Sequence, residues 1–398
     1  MFKEDKALLD DLCELNSYTY NTMKTYRTAI KHYTLYHRKS MSNLIKEALK
    51  EQGNNTPEHK LKIYDRLIDF RTNYILTSTK GQTATTIEGR IKSIYKQHRV
   101  KIPYIPPLNN KQLQKYPPIA FENLLKKEEI LQGLELANKE LKSEIMTWIS
   151  SGSAINETKS LTIKQFYEGT YPYHQTENIQ DSLEILNKLD NVIGTLKLYR
   201  AKTGKYYYSF INPETVTSIV NNLLDKNIKD INQPLFKYSN NYTNVLCKQI
   251  NDTCKFGKAG AYSRFVPHMF RKYNSTYLNQ GKELNENVLT KEEVDMFHGR
   301  GINATHESYF KNNPNILKFN YVKVMNNVSL YNQYSYEVVD NDIIVKRIDT
   351  DKQNKKLSKK VKDYENILDK LNDDERGLEN YADMIGHDNF MKIFNKID

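Results

Sequence analysis

The chain has 398 residues, enough for two domains and a tail, and sets 59 Lys+Arg against 48 Asp+Glu, a formal charge of +11 and a pI near 9.1. That excess points to a polyanionic partner, although the abundance of Asn, Lys, Ile and Tyr also suggests an AT-rich coding sequence that inflates Lys and Tyr on its own. No apolar run reaches membrane-spanning length, residues 1–11 are too charged for a secretory signal, and Cys13, Cys247 and Cys254 are too scattered for a disulfide framework or a common zinc knuckle.

Residues 1–101 read as helices. Over residues 18–39, Tyr26, Ile30, Tyr33 and Tyr36 recur at steps of three and four, which predicts one amphipathic stripe. Ser40 can cap the next helix, through Leu44, Ile45 and Leu49. Residues 58–74 carry Leu61, Ile63, Leu67, Ile68 and Phe70, and residues 85–100 carry Ile87, Ile91 and Tyr95. The opposite faces hold Lys24, Arg27, Lys31, Lys92, Lys96 and Arg99. Such faces are usually just solvated, but in a compact four-helix module they can equally lie along DNA phosphates. Residues 102–118 then change character: Pro103, Pro106, Pro107, Pro117 and Pro118, with Asn109 and Asn110 between them, cannot continue a helix and predict an interdomain linker.

Helical pattern returns over residues 126–151 and ends in the apolar run 145–149. Residues 190–211 are the most strand-like part of the chain. Two β-rich runs flank Lys202-Thr203-Gly204-Lys205, which predicts a hairpin. Helices are expected over 213–224, 242–254, 269–279 and 291–297, and a second short hairpin around Asp340-Asn341-Asp342. Leu357, Val361, Tyr364, Leu368 and Leu371 follow a 4-3-4-3 spacing. Two heptads leave open a helix packing on a partner, a helix packing on its own domain, and disorder.

The stretch Val266-Pro267-His268-Met269-Phe270-Arg271 is followed by His298-Gly299 and then by Tyr309-Phe310. Metal-free cleavage of a DNA strand needs a nucleophile, cationic donors on the non-bridging phosphate oxygens, an acid for the leaving oxygen and an acceptor for the nucleophile's proton. A phenol suits the first role, because its phosphodiester keeps the bond energy for rejoining. Arginine suits the second, because its planar fork meets two phosphate oxygens at once. A lysine at a hairpin tip suits the third.

The order and spacing of these residues resemble the tyrosine recombinase (phage integrase) family. The segment Ile102-Pro103-Tyr104-Ile105-Pro106-Pro107 and the turn Ser150-Ser151-Gly152 look most like archaeal-type integrases, including those of archaeal viruses. The resemblance implies a mainly α fold with a small β-sheet. A helical core-binding (SAM-like) domain would occupy residues 1–101 and an α+β catalytic domain residues 119–332, with a tail over 333–398. It further implies that Tyr309 is the nucleophile, that Arg271 clamps the scissile phosphate and that His268 bonds to it or takes a proton. His298 would be the second histidine, and Lys202 the acid for the leaving oxygen, with Lys205 as runner-up and DNA contact. Tyr321 competes with Tyr309 but lies farther from His298, in an apolar stripe with Leu317 and Val324.

Two departures stand out. Phe297 occupies the position before His298 where the family usually has glycine, and Gly299 follows instead. The family's first catalytic arginine is missing from Ser151-Gly152-Ser153-Ala154-Ile155-Asn156-Glu157. Ile155 stands where that arginine is expected, Ala154 is the next choice, and Lys159 or Lys164 are candidate substitutes. Loss of one such donor costs about two to three orders of magnitude in rate, so the chain is expected to bind DNA and cleave it slowly or not at all, with Ile155→Arg restoring cleavage.

The expected function is site-specific recombination that integrates and excises a mobile element. The chain would act as a homotetramer on double-stranded attachment sites and as a monomer free in solution, without cofactor or metal, in the cytoplasm and on DNA. An inactive DNA-binding relative and a type IB topoisomerase are the alternatives. The absent arginine favours the inactive relative, whereas the retained Lys202, His268, Arg271, His298 and Tyr309 count against it; the integrase-like N-terminal module counts against the topoisomerase.

Overall fold

The computed structural model describes residues 2–78, 81–108, 119–226, 228, 230–282, 286–300, 313–340 and 342–349. It is mainly helical, with three small two-stranded antiparallel sheets, and divides into two units, Met1–Ile119 and Ala120–Asp398.

The first unit is built from α1 (Lys3–Leu15), α2 (Tyr20–His37), α3 (Met41–Gly53), α4 (Lys62–Phe70) and α5 (Gly81–Gln97). Thr19 and Ser40 cap α2 and α3 by accepting the Thr22 and Asn43 N–H groups, which satisfies donors that a helix start leaves open. The tyrosine stripe of α2 is buried as its spacing requires: Tyr26, Ile30 and Tyr33 face Phe70, Ile87, Ile91 and Tyr95 in one cluster. The buried Tyr33 and Tyr95 hydroxyls meet at 3.2 Å. Among the described residues α1 is a helix beyond those expected. Its dense charges conceal Leu9 and Leu12, both buried, and Asp5, whose carboxylate accepts the Met41 N–H at 2.7 Å.

After α4 the chain runs through a π-helical turn, Arg71–Ile75. Arg71 is buried there and forks onto Glu88 at 2.8 and 2.5 Å, while its third nitrogen donates to the Pro106 carbonyl at 2.8 Å. Burial pushes the Glu88 carboxyl up, but the bonds from Arg71 and Lys92 outweigh it and hold the group below its ordinary value. This clamp fixes the proline-rich segment where it leaves the helices; residues 109–118, with Asn109, Asn110, Pro117 and Pro118, lie outside the described residues.

In the second unit the helical pattern expected over 126–151 forms two helices, α6 (Lys127–Glu135) and α7 (Lys139–Ser151), the latter capped by the Asn138 side chain. α8 (Ile155–Lys159), α9 (Ile163–His174) and α10 (Ile179–Asn187) follow. Gly169 in α9 lets that helix close on the hairpin, since a Cβ there would sit 2.0 Å from the Thr195 carbonyl oxygen. The hairpin is β1 (Gly194–Arg200) and β2 (Lys205–Ile211), paired antiparallel with Arg200 opposite Lys205. Then come α11 (Pro213–Leu224), α12 (Asn240–Thr253), the short β3 (Lys258–Ala259) and β4 (Tyr262–Ser263), α13 (Pro267–Gln280), α14 (Lys291–Phe297), α15 (Pro314–Val324) and the hairpin β5 (Gln333–Val339) and β6 (Asp342–Ile348). One hydrophobic cluster joins Ile145, Trp148, Phe210, Phe265, Phe270 and Tyr321, which packs α7, α13 and α15 together. Among the described residues no helix is long and apolar enough to cross a membrane. The 4-3-4-3 stripe of residues 357–371 and Tyr309 lie outside the described residues.

Candidate active site

α13 starts at Pro267, whose missing N–H and fixed φ suit a first helical position. Its sequence sends Met269, Phe270 and Tyr273 into the core. His268, Arg271 and Asn274 recur at steps of three and so form a polar stripe along one side. Arg271 and Asn274 are buried; His268, near the helix start, remains exposed. Partial desolvation, then Lys272, Arg271 and Arg300, all push the His268 pKa down, which favours the neutral ring that can accept a proton.

His298 ends α14 and is completely buried. Asn274 orients it. The Asn274 amide donates to the Ile149 and Ser150 carbonyls at 2.8 and 3.0 Å, which uses both of its protons. Its oxygen therefore faces His298 Nε2, 2.7 Å away, and Nε2 must carry a proton. Nδ1 is left buried and without a partner. Burial, reinforced by Arg271, Arg300 and Arg200, holds the His298 pKa well below its ordinary value.

Gly152 makes this arrangement possible. It closes α7 in the left-handed region at φ +62°, and a Cβ there would lie 2.1 Å from His298 Nε2 and 2.4 Å from Asn274 Oδ1. Gly152→Ala is therefore expected to lose the backbone preference and the buried hydrogen bond together, about 2–5 kcal/mol in denaturant unfolding. Gly204→Ala, at φ +68° but with nothing within 4 Å, should lose only the backbone part, about 1–2 kcal/mol. Equal losses at the two glycines would refute the packing argument.

Glu157 lies beside this pair. Its Oε2 accepts the Ala154 N–H at 2.7 Å and the Tyr207 hydroxyl at 2.7 Å. Burial and then the neighbouring carboxylate raise the Tyr207 pKa, so that phenol stays protonated as a donor. Arg271 reaches Glu157 with Nη1 at 3.6 Å and donates from Nη2 to the His298 main-chain oxygen at 3.0 Å. Arg200, at the end of β1, approaches the same carboxylate with Nε at 3.8 Å and donates from Nη1 to the same His298 oxygen. Arg300 is paired with Asp295 at 3.0 Å.

Of the sequence-derived candidates, Arg271 and His298 are thus brought into direct contact. His268 lies one helical turn before Arg271. Lys202 is exposed in the turn between β1 and β2, and Lys205 is exposed at the start of β2. Ile155 is half-buried and packs against the hydrophobic cluster of the unit. Lys159 is committed elsewhere: its ammonium bonds to the buried Glu144 and to Thr243 at 2.8 Å. Lys164 pairs with Glu168 at 3.8 Å on the surface. In the first unit Lys24, Arg27, Lys31, Lys96 and Arg99 are exposed, whereas Lys92 is half-buried against Glu88 at 2.6 Å. Gly152, Glu157, Asn274, Tyr207 and Arg200 complete the site without having been singled out as site residues. Arg200 had a signal: β1 buries Gly194, Leu196 and Leu198 in alternation, and Arg200 is the next residue of that face. Among the described residues no three His, Cys, Asp or Glu side chains converge as a metal site.

No family model and no curated protein sequence matches the chain. Solved structures resemble it in part. A XerH site-specific recombinase bound to its difH substrate before cleavage is 17% identical with a TM-score of 0.40, over 62% of this chain and 66% of that one, just under two thirds of its length. A post-cleavage XerH complex on a palindromic difH substrate gives 15% and 0.47, over 74% of this chain and 77% of that one. A lambda integrase(75-356) dimer on a COC′ core site gives 10% and 0.43, over 77% and 98%. These likenesses are partial.

Proposed function

We propose that the chain is a tyrosine site-specific recombinase that breaks and rejoins DNA through a 3′-phosphotyrosyl intermediate, and that it integrates and excises a mobile element. The observation that carries this reading is the buried Arg271–His298–Glu157 group, in which Arg271 Nη1 and His298 Nδ1 have no hydrogen-bond partner. A buried guanidinium N–H left open in this way suits an incoming phosphate oxygen, whereas the neutral His298 ring offers its open Nδ1 as an acceptor only. The Tyr309 oxygen forms a bond to phosphorus as the bond from phosphorus to the 5′ oxygen breaks. His268 takes the phenol proton and Lys202 gives one to the leaving oxygen. Arg271 stabilises the charge that develops between them.

Lys24, Arg27, Lys31, Lys96 and Arg99 in the first unit, and Lys205 in the second, supply phosphate contacts; Lys92 serves the Glu88 pair first. The chain acts as a tetramer on paired attachment sites, with residues 335–398 joining neighbouring protomers. The alternative of an inactive DNA-binding relative rests on the absence of an arginine at Ile155.

Mixing the full chain with short nicked duplexes of randomised sequence, and recovering covalent complexes under denaturing conditions, tests the reading. An adduct is expected, and affinity for the recovered duplex should fall steeply with salt as several phosphates are neutralised. Absence of any adduct together with a salt-independent affinity would refute the reading.

A further inference from the structure

Arg271 and Arg200 share one carboxylate. Arg271 Nη1 lies 3.6 Å from Glu157 Oε2 and Arg200 Nε lies 3.8 Å from Glu157 Oε1, and both nitrogens are buried without a hydrogen-bond partner. From another nitrogen each donates to the His298 main-chain oxygen. Arg300 has its own carboxylate, Asp295. Among the described residues, two guanidinium charges with little solvent exposure therefore face a single negative charge. Burial penalises that imbalance unless an anion closes it.

We propose that Arg200 is a catalytic residue, the second guanidinium on the scissile phosphate, and that it supplies from the hairpin strand the charge missing at Ile155. The inference rests on the recombinase reading. The strand register delivers Arg200 to the inner face that Leu196 and Leu198 define. The two lysines that the sequence offered as substitutes are spent, Lys159 on Glu144 and Lys164 on Glu168. Ile155 is tied to the hydrophobic cluster, so an arginine there would have to leave that packing to reach a phosphate. Glu157 holds both forks beside the His298 carbonyl, and two planar forks can meet both non-bridging oxygens of one phosphodiester. The chain as it stands is then competent to cleave.

The test uses full-length protein and a duplex recovered as a covalent complex with the wild type or with Ile155→Arg, resynthesised with either a native phosphate or a neutral methylphosphonate at the scissile position. Wild-type protein should form the adduct. Arg200→Ala should slow it by about a hundredfold on the native phosphate while DNA affinity stays within a small factor. On the methylphosphonate most of that gap should close, because the charge Arg200 meets is gone. Arg200→Lys, which keeps the charge but not the fork, should fall between the two. Ile155→Arg should add little.

A wild-type rate for Arg200→Ala overturns the proposal, and so does a defect equally large on both substrates, which would mark a structural role. An inactive wild type rescued by Ile155→Arg also overturns it and leaves the recombinase reading standing. No adduct from either protein removes the recombinase reading and this inference with it.

Discussion

Tyr309→Phe is expected to abolish the covalent DNA adduct while leaving DNA affinity within a small factor. The substitution removes only the phenol hydroxyl, whose oxygen bonds to phosphorus in the proposed mechanism; no neighbouring donor can replace a missing nucleophile. The chain holds 29 tyrosines, so the assignment needs a competitor excluded on physical grounds. Tyr321 is that competitor, and the structure gives it another task. Its ring is buried between Phe210 and Phe297, and its hydroxyl meets Ser150 Oγ at 2.6 Å and donates to the Ser150 carbonyl at 3.3 Å. Burial drives its pKa up, away from the range where a phenolate forms. Tyr321→Phe should therefore lower stability by about 1–3 kcal/mol, the worth of two buried hydrogen bonds, and leave the adduct intact. An adduct that survives in Tyr309→Phe and disappears in Tyr321→Phe would reverse the assignment.

Local signals were legible in the sequence where the deciding residues are neighbours in the chain. The helices over 213–224 and 291–297 match their expected bounds, because Asn212 with Pro213, and Thr290 with Glu293, punctuate their starts within a few residues. The hairpin was readable from its β-rich runs and its turn. α9 was not readable: Gly169 and Pro172 both argue against a helix, and the reason Gly169 is tolerated lies with Thr195. The same holds for the site. Arg271 and His298 carry a motif. Gly152 is explained only by the His298 ring it makes room for, Asn274 by carbonyls of α7, and Arg200 by a carboxylate 43 residues before it. Such pairings leave no periodic trace, and only the inward register of Arg200 on β1 gave local notice.

The shared carboxylate leads to an expected result opposite to simple intuition about catalytic arginines. Removing Glu157 should damage the fold more than removing Arg271. In Arg271→Met, Arg200 still neutralises Glu157, so the pocket returns to one charge of each sign. The expected loss is that of a charged hydrogen bond to the His298 oxygen, about 1.5–3 kcal/mol. On the proposed mechanism adduct formation should nonetheless fall by about two to three orders of magnitude, because the phosphate would lose one fork. In Glu157→Gln the amide oxygen can still accept from Ala154 and Tyr207, so the cap survives, but Arg200 and Arg271 then face each other with no counter-charge. Breaking a buried pair in this way costs about 3–5 kcal/mol. Because the surplus is positive, an anion that enters the pocket should repay part of it. Inorganic phosphate should raise the unfolding midpoint of Glu157→Gln more than that of wild type, and should do least for Arg271→Met. Urea unfolding of the three proteins with and without phosphate decides the matter. If Arg271→Met is the less stable variant, or if phosphate shifts all three equally, the two arginines do not share one carboxylate and the pocket holds no surplus charge for a phosphodiester to meet.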